Sequence, residues 1–209
     1  MRIIDCEQGT EEWFAARLGI PTASEFSDII TPAKGDYSAS APKYIARLID
    51  DIVRPGARER FAGNAHTERG HQLEPLARQF YEFERDTTVR TVGFALTDCG
   101  RFGCSPDALA DEGGAEIKSP DGPTHVEWMM AGGIPREHKV QVHGNILVTG
   151  SPWWDFLSYC PGYEPILIRV TPDDFTNKLR AHLERFHTDY TAALARFGLK
   201  HPSEASCVE

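Results

Sequence analysis

The segment Gly103-Cys104-Ser105-Pro106-Asp107-Ala108-Leu109-Ala110-Asp111-Glu112-Gly113-Gly114-Ala115-Glu116-Ile117-Lys118-Ser119-Pro120 contains a conflict that any fold must resolve: three charged side chains sit in what otherwise reads as a buried hairpin. Asp111, Gly113 and Gly114 read as a turn between a strand over 107–110 and another over 115–119. Side chains alternate along a strand, so Glu116 and Lys118 share one face while Ile117 points the other way, into a core. Asp107 then falls across the hairpin near Glu116. Two carboxylates on one small patch repel, and ionising both is costly unless a cation lies between them.

A donor set made only of oxygens suits a hard divalent ion, Mg²⁺ first and Mn²⁺ as its substitute, and disfavours zinc. Beside the pair, Lys118 can orient an attacking water and offset charge on an oxyanion, while the ion lowers the pKa of water and neutralises a phosphate oxygen. That is equipment for hydrolysing a phosphodiester. The bland alternative is a solvated hairpin, since a Glu-x-Lys tripeptide arises by chance about once in a chain of this composition.

A chain of 209 residues can bury roughly 70% of its unfolded surface, so one domain spanning 1–209 is expected, with a polar C-terminal tail over 198–209 that is loose or packs on a neighbouring subunit. No apolar run approaches the roughly 20 residues that span a bilayer, and the N-terminus has no signal-peptide core, which implies a cytoplasmic protein without membrane contact. The five cysteines are odd in number and include no Cys-x-x-Cys. They read as reduced thiols, not as a disulfide framework or a zinc or iron–sulfur site. The net charge of −9 opposes general attraction to nucleic acid, so any grip on phosphates must come from a local basic lining.

Upstream, Thr10 reads as the cap of a short helix ended by Gly19, and Thr22-x-x-Glu25 has the form of a capping box opening a second helix. The free N–H groups there, with the Ser24 hydroxyl, face the space near Arg17 and suit an anion. A surface salt bridge from Arg17 to Glu11 or Glu12 is the competing use of that arginine. Further helices are expected from Ser40-Ala41-Pro42 to about 53, from 64 or 67 to 85 with Leu73, Leu76, Ala77, Phe80, Tyr81 and Phe83 on its apolar side, within 121–133, over 135–148, and from Thr171-Pro172-Asp173-Asp174 to about 197. Strands are expected over 88–92, 94–97, 153–160 and 165–170. The segment 54–60 is the densest basic stretch and a candidate duplex contact.

Ser-Pro-Asp followed by Glu-Ile-Lys after a glycine turn resembles the core of the PD-(D/E)xK nuclease superfamily. Trp13, Arg17-Leu18-Gly19 and Thr22-Ala23-Ser24 ahead of that hairpin resemble the YqaJ-like branch of the lambda-type viral, or phage, exonuclease and recombinase family. Gly70-His71-Gln72-Leu73-Glu74 and Lys139-Val140-Gln141-Val142 match its remaining motifs in order. Pro21 stands where the family often has an aliphatic residue. His66, His71, His138 and His143 receive no role.

The resemblance, covering 13–170, implies a restriction-endonuclease-like α/β domain, a central mixed sheet flanked by helices. It implies a Mg²⁺-dependent 5′→3′ exodeoxyribonuclease that digests one strand of duplex DNA from an end to mononucleotides and leaves a 3′ overhang for recombination. Asp107, Glu116 and the Ile117 carbonyl would hold two ions with Glu74 assisting, Lys118 and Gln141 would position the water, and Arg17 and Ser24 would bind the terminal 5′ phosphate. A ring-shaped homotrimer and a single-strand annealing protein are the implied partners. The rivals are an endonuclease with the same core, a nuclease carrying an iron–sulfur cluster, and an inactive DNA-binding or assembly module.

Overall fold

The computed structural model describes residues 1–56 and 65–205, so 57–60 of the basic stretch and Cys207 lie outside the described residues. Strand β1 (Arg2–Ile4) pairs antiparallel with β2 (Phe94–Leu96), which pairs antiparallel with β3 (Gly103–Cys104). A second ladder runs β4 (Ala108–Leu109), β5 (Gly114–Lys118), β6 (Trp154–Ser158) and β7 (Ile166–Val170), parallel between β5 and β6 and antiparallel elsewhere. Ser105, Pro106 and Asp107 link the two ladders. Helices flank them, which is the mixed α/β architecture that the sequence implies.

Segment 88–92 is not a strand; Arg90 alone bridges Leu109. Its partner β4 is two residues long, too short to template more. The hairpin glycines also differ from a simple turn signal. A β-carbon on Gly113 would come within 2.5 Å of the Trp153 ring, and one on Gly114 within 2.5 Å of Trp154. Close approach to two indoles, and not a left-handed backbone, is what these glycines supply.

Helix α1 (Glu11–Arg17) starts as expected, with Thr10 accepting from the Trp13 N–H, and the chain turns out of it through Gly19 at φ +69°. The next element is a 3₁₀ turn (Ala23–Asp28), not a capped α-helix: the Thr22 side chain makes no cap bond. That hydroxyl is drawn to Arg17 and Ser24 instead, and Glu25 pairs with Arg47. Helix α2 (Ala41–Val53) follows, burying Tyr44, Leu48 and Ile49.

Helix α3 (Ala65–Arg85) lays Ala77 and Tyr81 against Ala108, Ala115, Ile117 and Leu157. Two side chains expected on that apolar side are outside it, Leu76 at 49% and Phe83 at 85% exposure. The stripe of apolar residues is wider than the sheet surface it covers. Helix α4 (Gly122–Ala131) is capped by Asp121, and helix α6 (Asp174–Arg196) opens with a reciprocal capping box between Asp173 and Thr176.

Between the sheets and α6 lies α5 (Arg136–Thr149), whose residues 142–146 are all buried. It has no polar face because it is packed on several sides at once. Gly144 permits this: a β-carbon there would come within 2.8 Å of Phe26 and 3.0 Å of Ala23. As far as residue 205, the tail is packed on the body of the protein. The His201 ring packs on His187 and Tyr190 ahead of the short helix α7 (Pro202–Ala205).

Candidate active site

Pairing of Ala108 with Ala115 and of Leu109 with Gly114 sets the hairpin register, and one step further along it Asp107 meets the β5 backbone. The Ile117 N–H donates to Asp107 Oδ2 at 2.7 Å, while the Ile117 side chain enters the α3 core. Glu116 and Lys118 lie on the opposite face, joined by an ion pair of 2.6 Å between Nζ and Oε1. Glu116 is 1% exposed. The expected triplet is therefore assembled by one hairpin.

Its electrostatics are unbalanced. Burial and then the Glu116 carboxylate push Asp107 up to about 8, against the pull of Lys118 and the Ile117 N–H. For Lys118, burial acts downward, but Glu116 and Asp107 outweigh it and hold the ammonium above its ordinary range. One ammonium thus serves two acids. Two adjacent acids with only oxygen donors fit a hard cation, which would take the place of the proton that burial and Glu116 keep on Asp107.

Glu74, on α3, pairs with Arg78 one turn on and still raises both Asp107 and Lys118 through its charge. Among the described residues no three His, Cys, Asp or Glu side chains converge into a ligating cluster. Glu74 thus stands beside the Asp107–Glu116 pair and is not joined to it. Gln141 is half-buried on α5, and the amide that reaches a carboxylate is that of Asn145, one turn further along.

Arg17 is turned toward hydroxyls and an indole ring. Its guanidinium donates to Ser105 Oγ at 3.0 Å and Thr22 Oγ1 at 3.4 Å, and it stacks over the Trp13 ring at 4.2 Å. Burial lowers its pKa, partly offset by Tyr44, Glu25 and Cys104. The Thr22 hydroxyl is 3.2 Å from Ser24 Oγ. A cation bonded to two hydroxyls, with a third beyond Thr22, is arranged for an anion. This pocket lies next to the carboxylates, since Ser105 precedes Asp107 by two residues and the buried Cys104 thiol feels both Glu116 and Arg17.

Several contributors escaped the sequence. Ser105 accepts from both Arg17 and the Trp13 indole, at 2.9 Å from the latter, a long-range contact that no local pattern announces. Asn145 had a usable signal, its one-turn spacing from Gln141. His138 stacks on Phe156, with burial and then Lys118 holding its pKa down to about 4. Arg69 donates to Cys160 Sγ at 3.7 Å, and its buried Nε has no hydrogen-bond partner among the described residues.

The sequence profile of the YqaJ-like viral recombinase domain matches residues 12–152. No curated protein matches the chain. Among solved structures, an alkaline exonuclease, LHK-Exo, from Laribacter hongkongensis is 35% identical, with a TM-score of 0.72 over 90% of this chain and 98% of that one. LHK-Exo in complex with dAMP gives a TM-score of 0.77 at 35% identity over 90% and 96% of the two chains. A phage related exonuclease from Haemophilus somnus 129PT, 11% identical, shares the fold with a TM-score of 0.66 over 85% and 96%.

Proposed function

The chain belongs to the YqaJ-like viral recombinase family, and from that premise we propose that it is a metal-dependent DNA exonuclease of the PD-(D/E)xK type. The observation that carries this function is the Asp107–Glu116–Lys118 constellation on one hairpin. Likeness to LHK-Exo over nine-tenths of the chain supports the same activity, and the dAMP bound by that relative is a mononucleotide of the kind such a reaction releases.

In the proposed site Asp107, Glu116 and the Ile117 carbonyl hold Mg²⁺, or Mn²⁺ in its place, as two ions with Glu74 assisting. Bound there, such ions would neutralise charge on phosphate oxygens and lower the pKa of water. Lys118 orients the attacking water, helped by the Gln141 amide. Arg17, with Ser24, Thr22 and Ser105, receives the terminal 5′ phosphate, so digestion runs 5′→3′, releases 5′-mononucleotides and leaves a 3′ overhang. A ring-shaped homotrimer would confine duplex where a chain of net charge −9 holds it poorly alone. A single-strand annealing protein would take up the overhang, and the cytoplasm is the proposed compartment. Among the described residues no helix is long and apolar enough to cross a membrane.

Linear and covalently closed circular duplex, labelled at each strand end and incubated with Mg²⁺ or EDTA, test the proposal. Loss of 5′ label from linear duplex only, abolished by EDTA, is expected. Nicking of the closed circle would favour the endonuclease, and early loss of 3′ label would reverse the polarity.

A further inference from the structure

Both oxygens of Glu116 are engaged, and by different elements. Oε1 meets Lys118 Nζ at 2.6 Å within β5, whereas Oε2 accepts from Asn145 Nδ2 at 3.0 Å, across to α5. Asn145 is itself 1% exposed. A carboxylate only accepts, so the amide must present its NH₂ to Glu116 and its orientation is fixed by chemistry.

The helix that carries Asn145 has little room to move. Gly144 is seated against Ala23 and Phe26, and His143 Nδ1 lies 2.8 Å from Thr176 Oγ1 on α6. The Thr149 hydroxyl donates to the Asn145 carbonyl at 2.7 Å. Asn145 is thus a donor mounted on a fixed support, while Lys118 is a donor on a long side chain that is one-third exposed. The two oxygens of Glu116 are inequivalent for that reason.

We propose that Asn145 is a positioning residue: it ties Oε2 of Glu116 to α5 and keeps Oε1 turned toward Lys118, as the oxygen offered to a cation. This role rests on the assignment of Asp107 and Glu116 as metal-holding residues. Without the amide, Glu116 is free to rotate with Lys118 and no longer presents a fixed donor. Hydrogen bonds that orient a ligating group typically govern about 10–100-fold in metal affinity.

The test measures Mn²⁺ binding without DNA, by the electron paramagnetic resonance of free Mn²⁺ and by calorimetry, in wild type, Asn145→Leu and Asn145→Ser. Thermal unfolding without metal is followed in parallel. Asn145→Leu keeps the branched shape at a larger volume and removes the donor; Asn145→Ser leaves room for a water and guards against a misfolded leucine variant. The expected result is about tenfold or greater loss of Mn²⁺ affinity in the folded variants, with most of kcat on linear duplex regained at high Mn²⁺. Unchanged Mn²⁺ affinity in a folded variant, even with a lowered Tm, would overturn the role of Asn145 while the wild type still bound Mn²⁺ and degraded duplex. A wild type that did neither would instead overturn the metal-site assignment beneath it.

Discussion

Metal binding should expel a proton, and Asp107 sets how much. Its carboxyl, pushed up to about 8 by burial and then by Glu116, is protonated in about nine-tenths of molecules at about pH 7. A cation must displace that proton, so apparent affinity should rise about tenfold, or about 1.4 kcal/mol, between about pH 7 and about pH 9. The assay is calorimetric titration of Mg²⁺ without DNA, in paired buffers of different ionisation enthalpy. Proton release at Asp107 of about 0.9 at about pH 7, about 0.5 at about pH 8 and about 0.1 at about pH 9 is expected. The metal-free protein supplies a second readout. Unfolded, Asp107 ionises near its ordinary 3.8; folded, it does so near 8, so the folded state binds the extra proton between these values. Stability from this group therefore declines as pH rises through that window and levels off above it. An affinity flat from about pH 7 to about pH 9, with heats independent of buffer, would refute the burial-and-repulsion account, and Asp107→Asn should abolish the dependence.

Four further outcomes are expected. Lys118→Ala should cut strand cleavage about a hundredfold or more while leaving the circular dichroism spectrum intact; activity near wild type would remove Lys118 from the reaction. Arg17→Ala should erase any preference for 5′-phosphorylated over 5′-hydroxyl ends, measured as a ratio of initial rates. The Asp155 carboxylate, 0% exposed, accepts from Tyr81, Arg85 and Arg169, so Asp155→Ala should lower urea stability by about 3–5 kcal/mol. Arg69→Ala should reduce the slope of log affinity for duplex against log salt by about one, the change that loss of one phosphate contact brings, and an unchanged slope would take Arg69 out of the duplex path.

The hairpin triplet was legible because strand alternation alone puts Glu116 and Lys118 on one face, and a glycine turn brings Asp107 across. Helices α2 and α6 were legible from their opening residues and three- and four-residue apolar steps. What stayed hidden depends on contacts distant in sequence. Strand β1 is three residues long and exists because β2 offers it a partner. The Thr22 capping box failed because Arg17 competes for the same hydroxyl, and Leu76 and Phe83 carry the periodicity of a buried face that the sheet is too narrow to cover. Gln141 had a motif to mark it; Asn145 had only its helical offset, although it is the amide bonded to Glu116.

The tripeptide joining the two ladders carries a consequence for product length. Ser105 is bonded to Arg17 in the pocket proposed for the strand terminus, and Asp107 belongs to the site proposed for bond breaking. Only Pro106 separates them; its ring fixes φ, and two Cα steps span at most about 7 Å. With both sites as proposed, this short link would set the interval from captured end to cut and would favour release of small fragments. Inserting one residue beside Pro106 should change the size of what is released before it changes how tightly the end is held.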